Sequence, residues 1–350
     1  MAEHHRLKNV TLRDVAKRVG VSAMTVSRAI SGKSQLVSPE TAKRCRQVAE
    51  EMGYVPNLMA RSLRGEQLNT IVMFAEYISS HHYLAELVDI VSRSIEHRRY
   101  GVISCQSILS FHQALRNFKL AGAVVIAPPE SFYGDPFGKA AGDRHTHEEP
   151  TVVIHSAVEQ NRFSEVSPDI SGFCQIAAQH LVDLGHRHIG YLGGAKPEEE
   201  RHWFDLRRKG ITQVLSSRNL PVGGLRHQPC PNADLAHAAL QQLLTRAPQT
   251  TAVMCINDEI AIATIVGARK LGLRVPRDLS VVGCNDINLA NFFDPPLTTL
   301  AIDIRAMVET ALDLLLEEVR ESRPAAERKP IKIKLPAQLI VRESTAPPRK

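Results

Sequence analysis

Residues 11–30 read TLRDVAKRVGVSAMTVSRAI, and this segment predicts two short helices joined by a tight turn. Thr11 can cap the first helix, with Asp14 three residues later, and Ser22 can cap the second. Gly20, between the helices, supplies the positive φ that the turn requires. This arrangement is typical of a helix-turn-helix, which lays its second helix in the major groove of DNA.

The side chains of these two helices divide into an apolar face and a small, polar or basic face. The inward, apolar set is Val15, Ala16, Val19, Val21, Val26 and Ile30. The outward set is Ala23, Met24, Thr25, Ser27 and Arg28. A capped helical hairpin inside a larger core would explain the inward set alone. Arg28 carries the forked donor that suits O6 and N7 of guanine, which favours contact with DNA.

Charge is distributed unevenly along the chain. Residues 1–65 contain twelve Lys or Arg and five Asp or Glu, whereas the other 285 residues contain thirty-one basic and thirty-two acidic side chains. A basic head on a nearly neutral body is the pattern of a phosphate-binding module joined to a soluble body. With 350 residues, 43% of them hydrophobic, the chain is long enough to bury more than one core.

The cysteines and histidines do not form metal-ligand patterns. Six widely spaced cysteines without a Cys-x-x-Cys pair indicate reduced thiols in apolar surroundings. The sequence shows no apolar leader and no membrane-spanning run, so we expect a cytoplasmic protein without a membrane partner. His81-His82, His145-x-His147 and His186-x-His188 lack a carboxylate or cysteine at ligand spacing. We therefore expect no metal and no cofactor.

Beyond residue 70, apolar strands without polar alternation are separated by helical segments. This pattern predicts an α/β fold of two doubly wound parallel-sheet lobes, with a ligand between them. We place the return crossing between the lobes at Pro295-Pro296, and we read Ile331 to Ile340 as one late strand interrupted at Pro336. The expected domains are a helix-turn-helix at 9–56, a hinge helix and linker at 57–68, a first lobe at 69–165 plus 297–322, and a second lobe at 166–296 plus 323–345.

Several ordered motifs resemble those of the lactose-repressor (LacI/GalR) family of bacterial transcription regulators, over nearly the whole chain. The motifs are Val10-Thr11-Leu12-x-Asp14-Val15-Ala16, Val21-Ser22-x-x-Thr25-Val26-Ser27-Arg28, Gly53-Tyr54-x-Pro56-Asn57-x-x-Ala60-Arg61-x-Leu63, Leu184-Gly185-His186-Arg187-x-Ile189-Gly190, Asn257-Asp258, Ser280-Val281-Val282-Gly283 and Pro295-Pro296-Leu297-Thr298-Thr299. The resemblance implies lobes like those of periplasmic binding proteins. It also implies a homodimer that represses transcription from a near-palindromic, double-stranded operator under the control of a small-molecule effector.

By the same resemblance, the second helix reads a half-site and a hinge helix enters the central minor groove, where Leu63 wedges between base pairs. The implied DNA-binding residues are Thr11, Ser22, Ala23, Met24, Thr25, Ser27, Arg28, Asn57, Ala60, Arg61 and Leu63. We expect Arg28 to read bases, and Ser22 and Thr25 to contact phosphates. Because Ala23 and Met24 offer only apolar contacts, we expect much of the remaining readout to come from DNA deformability.

The resemblance also implies an effector pocket between the lobes. Its residues are Tyr83, Asp169, Trp203, Arg207, Asn257 and Asn285, while Asp258 is expected to cap the following helix. Two positions depart from the family pattern: Ile170 follows Asp169 where an asparagine is usual, and Asn285 replaces an acidic contact. Because Arg207 is present and position 285 has no carboxylate, the site favours an acidic effector over a neutral sugar. The acidic effector would be a sugar acid or a phosphorylated sugar.

Other functions remain open at this point. An α/β sugar or nucleoside hydrolase would need a catalytic motif, and the sequence has no Gly-x-Ser-x-Gly, P-loop, His-Glu-x-x-His or Gly-x-Gly-x-x-Gly after a strand. We therefore expect no catalytic residues. A periplasmic binding protein would carry a signal peptide in place of the basic head. A family member that has lost its small-molecule response, and represses constitutively or through a partner protein, is compatible with the departures at 170 and 285.

Overall fold

A computed structural model describes residues 10–30, 36–54, 67–76, 82–129, 132, 149–156, 162–194, 201–220 and 226–349. The chain forms two units, Met1–Leu68 and Asn69–Lys350. The predicted hinge residues Asn57, Ala60, Arg61 and Leu63 lie outside the described residues.

The first unit contains the helices that the sequence predicts. They are α1 (Leu12–Val19), α2 (Ala23–Ile30) and α3 (Pro39–Glu51). The caps form as expected: Asp14 N donates to Thr11 Oγ1, Thr11 N donates to Asp14 Oδ2 at 2.9 Å, and Gly20 has a φ of 81°. Ser22 Oγ accepts from Thr25 N at 3.1 Å. Each cap satisfies a backbone donor that the helix itself leaves unpaired.

The core of this unit is made of small apolar side chains. The fully buried members are Val15, Ala16, Val19, Val26, Ala29, Ala42, Cys45 and Ala49. Val21 and Ile30 pack against them, as expected, and so does Ala23, which the sequence placed on the outward face. The reason is the short turn between α1 and α2, which brings the first residue of α2 close to α1.

The second unit begins with a lobe built on an entirely parallel, six-stranded sheet. In spatial order the strands are β11 (Lys332–Leu335), β5 (Ser164–Pro168), β4 (Thr151–Ile154), β3 (Gly122–Ile126), β1 (Thr70–Ala75) and β2 (Gly101–Cys105). Its helices are α4 (His82–His97), α5 (Ile108–Asn117) and α11 (Ile304–Glu321). The buried strands β1, β3 and β4 are continuous apolar runs, because a parallel sheet is covered on both faces.

The second lobe also has a six-stranded sheet, in which one edge strand is antiparallel. In spatial order the strands are β12 (Gln338–Ile340), β10 (Thr298–Ala301), β9 (Ser280–Cys284), β8 (Ala252–Cys255), β6 (Ile189–Leu192) and β7 (Arg226–Gln228). The helices are α6 (Ile170–Asp183), α7 (Arg201–Ser217), α8 (Ala236–Arg246), α9 (Asp258–Lys270) and α10 (Asn288–Phe292). The α/β fold class is confirmed. Across the part of the chain that the structure describes, we find no helix with the length and apolarity needed to traverse a bilayer.

The expected lobe boundaries are wrong in three places. Strand β10, which the sequence assigned to the first lobe, pairs with β9 in the second sheet. Strand β11, assigned to the second lobe, pairs with β5 in the first, and β5 itself extends the first lobe to Pro168. The chain therefore crosses between Ala301 and α11, after Pro295-Pro296, and crosses again at Pro336. Because proline cannot donate to a strand ladder, Pro336 separates two short strands of different sheets rather than interrupting one strand.

Candidate functional sites

The outward face of α2 is the candidate DNA-contacting surface of the first unit. Met24 is 63% exposed, and Arg28, one helical turn later, is also exposed. Among the described residues Arg28 has no hydrogen-bond or ion-pair partner, so its guanidinium is available. Thr25 and Ser27 are half-buried, and the Thr25 and Ser22 hydroxyls bond to each other at 2.8 Å. Arg28 is thus the side chain of this face whose donors are free to contact a ligand, and it remains the candidate base reader.

Further cations surround the helix-turn-helix. Arg13, Lys17 and Arg18 on α1, and Lys43, Arg44 and Arg46 on α3, are all exposed. Thr11 is committed to its cap, since its hydroxyl donates to Asp14 Oδ2 at 2.7 Å. Exposed cations around a reading helix are suited to holding phosphates, which position a protein on DNA without selecting the sequence.

In the second unit, a cavity of about 500 Å³ lies between the two lobes. It is lined by residues that directly follow strands of both sheets: Glu76 after β1, Ala127 after β3, His155 after β4, Ile256 after β8 and Asn285 after β9. The carboxyl ends of parallel strands are where α/β sheets place their ligands. The cavity is therefore the candidate effector site.

Five of the six predicted effector residues line this cavity: Tyr83, Trp203, Arg207, Asn257 and Asn285. Asp169 is not among the lining residues; its Oδ1 accepts from Gly172 N at 3.0 Å and caps α6. A side chain that caps a helix is already committed to the fold.

A chain of ring contacts crosses the cavity from one lobe to the other. The Tyr83 hydroxyl lies 3.0 Å from His155 Nδ1, and both residues belong to the first lobe. The His155 ring centroid is 5.0 Å from that of Trp203 on α7 of the second lobe, and the Arg207 guanidinium lies 5.4 Å over Trp203. Trp203 therefore packs against protein groups. The sequence analysis missed His155, although its position directly after a predicted strand was a usable signal.

A second contact joins the lobes at the same cavity. The backbone N of His82, at the start of α4, donates to Glu259 Oε1 at 3.2 Å, and Glu259 is in the first turn of α9. Among the described residues, these polar and aromatic contacts join the two lobes beside the candidate ligand site. A ligand between them would act on both contacts.

The floor of the cavity in the second lobe is apolar and rich in thiols. Cys174, Cys255 and Cys284 line it beside Tyr191. Burial raises the pKa of the Cys174 thiol to about 12, so this group stays protonated and is a poor nucleophile. All six cysteines are free and five are buried, which confirms the expectation of reduced, packed thiols.

The capping role that the sequence analysis gave to Asp258 belongs to Asn257, which also lines the cavity. Asn257 is in extended conformation at the start of α9, and its Oδ1 accepts from Ile260 N at 2.9 Å, so Asn257 is the cap. Asp258 is fully buried and accepts from Thr299 Oγ1 at 2.5 Å and from Ile287 N at 2.8 Å. Asp258 thus ties α9 to β10 and to the segment before α10, below the cavity.

Asp258 is expected to make stability depend on pH. Burial raises its pKa from 3.8 to about 7, so between these values the folded protein holds a proton that the unfolded chain has released. The free energy of unfolding should therefore fall as pH rises from about 4 to 7, by at most about 4 kcal/mol. Calorimetric unfolding of the protein and of Asp258→Asn across this range measures the difference.

In Asp258→Asn this component should vanish, because an amide does not titrate. The matched control is Asp183→Asn, which removes an exposed carboxylate of α6 that pairs with Arg218 at 3.0 Å. Asp183→Asn should keep the pH profile of the unchanged protein. Parallel pH profiles for the protein and for Asp258→Asn would contradict the assignment.

Within the described residues, no group of three or more His, Cys, Asp or Glu side chains is placed to hold a metal ion. His186 instead bonds to Thr251 Oγ1 at 2.8 Å and to Ser280 Oγ at 3.1 Å. His81, His145 and His147 lie outside the described residues.

Comparison with known proteins decides the family. Residues 11–57 match the family of bacterial regulatory proteins of the lacI type, and residues 178–345 match the periplasmic binding protein-like domain. The HTH-type transcriptional repressor PurR of Pectobacterium atrosepticum is 30% identical over 352 residues, covering 96% of this chain and 97% of that protein. The chain belongs to the LacI family. This regulator therefore combines a DNA-binding helix-turn-helix with an effector-binding domain, and its relatives are repressors rather than enzymes.

Solved structures agree with the fold of this regulator. The Lac repressor dimer bound to operator and the anti-inducer ONPF superposes with a TM-score of 0.77 at 24% identity, covering 97% of this chain and 100% of that one. The complex of the transcriptional regulator CelR with cellobiose has a TM-score of 0.67 at 25% identity, covering 96% of this chain and 100% of that one. Both comparisons support the arrangement of a helix-turn-helix and two α/β lobes.

Proposed function

We propose that this regulator is a cytoplasmic repressor that binds a near-palindromic operator as a homodimer, and that a small acidic molecule in the interlobe cavity changes its operator affinity. The observation that carries the proposal is the pairing, on one chain, of a basic unit that exposes Arg28 on α2 with an interlobe cavity that contains Arg207. PurR and the Lac repressor are repressors, and the Lac repressor structure is a dimer bound to its operator.

On the operator, Arg28 would read guanine in each half-site, with Met24 making an apolar contact beside it. Ser22, Thr25, Ser27 and Thr11 would position the unit on phosphates, and Ala23 would contribute mainly to packing. The hinge assignment rests on the sequence alone: Asn57, Ala60 and Arg61 would flank Leu63, which would wedge into the central minor groove.

An exposed apolar strip on the second lobe is suited to dimer formation. Phe292 is 80% exposed, and Leu289 and Val266 are also exposed. The segments that carry them adjoin, because Arg269 of α9 pairs with Asp294 at 3.0 Å and lies 5.9 Å over Phe293. Contiguous exposed apolar side chains mark protein interfaces, where aromatic residues are enriched.

Replacing Phe292 with aspartate should therefore convert dimer to monomer, because a charge would be buried without a partner at the interface. Sedimentation velocity measures the change, and operator affinity should fall with it. Leu109→Asp is the control, since Leu109 is a similarly exposed apolar residue on α5 of the first lobe. A Phe292→Asp protein that remains dimeric would exclude this strip as the interface.

The effector would act by changing the relation between the lobes. A ligand bound by residues of both lobes favours one lobe arrangement over another, and the hinge segments would then change their spacing. A coupling of about 1–3 kcal/mol gives a 5- to 150-fold change in operator affinity. The contacts of His155 with Trp203 and of His82 with Glu259 are those that such a movement would alter.

The proposal is tested by selecting duplexes from a random DNA library with the full-length protein and sequencing those retained. We expect a near-palindrome whose half-sites contain a guanine read by Arg28. Retention without any common motif, or a motif without two-fold symmetry, would contradict operator binding by a homodimer.

A further inference from the structure

Several acceptors of the cavity already have partners within the protein. The Asn257 side-chain oxygen caps α9, Glu259 accepts from His82 N, and the Tyr83 hydroxyl is paired with His155. Arg207 has no carboxylate partner among the described residues. A polyhydroxyl ligand needs several donors and acceptors around it, and the side-chain acceptors that remain include Glu76, Asn285 and the second carboxylate oxygen of Glu259.

Most of the remaining lining is carbon and sulfur. Its apolar members include Phe173, Met254, Val282, Leu300, Ile302 and the thiols of the floor. Burying sugar hydroxyls against such walls would leave those hydroxyls without partners, which is unfavourable, whereas burying a hydrocarbon skeleton there is favourable.

The lining contains one cationic side chain, which can neutralise one negative charge of a ligand. Arg207 is the one Lys or Arg among the described lining residues, and Glu76 and Glu259 also line the cavity. The formal charge of these three side chains sums to −1, so net repulsion would be greater for a dianionic phosphate ester than for a monoanion that pairs directly with Arg207. A monocarboxylate matches one guanidinium, with which it can form two parallel hydrogen bonds.

Tyr191 offers one further donor beside Arg207. Tyr191 is 4% exposed, lines the cavity, and its buried hydroxyl has no hydrogen-bond partner within the described residues. Burial raises the pKa of Tyr191, and the nearby charge of Arg207 acts in the opposite direction. A buried hydroxyl without a partner is unfavourable, and a ligand oxygen would satisfy it.

We infer that the effector is a monocarboxylic acid with an apolar carbon skeleton, whose carboxylate is bound by Arg207 and the Tyr191 hydroxyl. This inference rests on the proposed effector function and narrows it. It replaces the sugar acid or sugar phosphate expected from the sequence, and it assigns to Tyr191 a specificity-determining role that the sequence analysis did not give it.

The test is isothermal titration of the full-length protein with a matched set of compounds. The apolar acids are 3-phenylpropionate and 4-methylpentanoate, and 3-phenylpropan-1-ol is the neutral counterpart of the first. Gluconate, glucose 6-phosphate and glucose represent the polyhydroxyl alternatives. We expect at least one apolar acid to bind about tenfold or more tightly than the alcohol and than every sugar compound, because only it pairs with Arg207 and fits apolar walls.

Tyr191→Phe should weaken binding of that acid by about tenfold or more, because one hydrogen bond to a charged group is lost. Its thermal midpoint without ligand should be unchanged or raised, since the substitution removes an unpartnered hydroxyl. A merely structural tyrosine would lower the midpoint and leave the affinity unchanged, and that result would overturn the assignment. Tyr100→Phe, a half-buried tyrosine outside the cavity lining, should alter neither quantity.

The outcomes separate this inference from the proposed function. Tighter binding of gluconate, glucose 6-phosphate or glucose would overturn the inference of an apolar carbon skeleton. The proposal of an effector-controlled repressor would stand. No binding of either apolar acid, by protein that still retains a palindromic duplex, would also overturn the inference. Failure to prefer any palindromic duplex would instead contradict the proposed function itself.

Discussion

Arg28→Ala is expected to lower the affinity for the selected operator by about 30- to 20,000-fold. A bidentate contact from arginine to guanine provides about 1–3 kcal/mol of discrimination, and a dimer makes this contact twice. The loss should fall on specific binding, because Arg28 is exposed on the reading face of α2 and has no partner within the described residues. Fluorescence anisotropy with the selected palindrome and with a scrambled duplex measures both affinities.

The control is Arg18→Ala, which removes an exposed arginine from the last turn of α1. A cation that only contacts phosphate should weaken both duplexes alike and reduce the salt dependence, leaving the ratio of the two affinities nearly unchanged. Arg28→Ala should instead bring that ratio towards one. If the two substitutions had the same effect on the ratio, Arg28 would not be a base reader.

Arg207→Ala is expected to weaken the tightest-binding acid of the titration panel by about 100-fold or more, because two charge-assisted hydrogen bonds are lost together. Operator affinity without ligand should change little, since Arg207 belongs to the second unit and makes no ion pair among its described residues. Titration calorimetry and anisotropy, measured on the same preparation, separate the two effects.

The neighbouring Arg208 provides a matched control on the same helix. Arg208 is exposed, and its Nη2 lies 3.7 Å from Asp205 Oδ1. A surface ion pair of this kind contributes little to stability. Arg208→Ala should leave acid binding unchanged. Equal losses in Arg207→Ala and Arg208→Ala would indicate a non-specific electrostatic effect and exclude a carboxylate site at Arg207.

The sequence predicted apolar strands such as β3 but missed β5, whose polar side chains find their partners only in the folded chain. Strand β3, Gly122–Ile126, is a plain apolar run and is recognisable. Strand β5 reads SEVSP, and its polar residues hide it. In the folded chain Glu165 is buried but paired with Lys334 at 3.1 Å and with the Ser167 hydroxyl at 2.8 Å. Such pairing depends on β11, which is distant in sequence, so local pattern could not reveal it.

The sequence predicted the residues of the candidate effector site that lie in recognisable family motifs. It could not predict the residues whose role depends on the tertiary fold. Arg207 and Asn285 were found by resemblance and do line the cavity. The role of Tyr191 depends on which face of β6 meets α6 and α7, and on the absence of a partner for its hydroxyl. The sequence analysis assigned the cap to Asp258, but α9 begins at Asp258 itself, so the preceding Asn257 is the cap. Shifts of a single residue at a helix end are decided by packing rather than by local sequence.

The most direct test of the account is the affinity of the full-length protein for its selected palindrome and for a scrambled duplex of equal composition, across a salt series, with and without the tightest-binding acid of the titration panel. We predict that salt weakens both complexes, that the palindrome is preferred by about 1,000-fold or more, and that the acid changes its affinity 5- to 150-fold. Equal affinity for both duplexes at every salt concentration, unaltered by the acid, would contradict it.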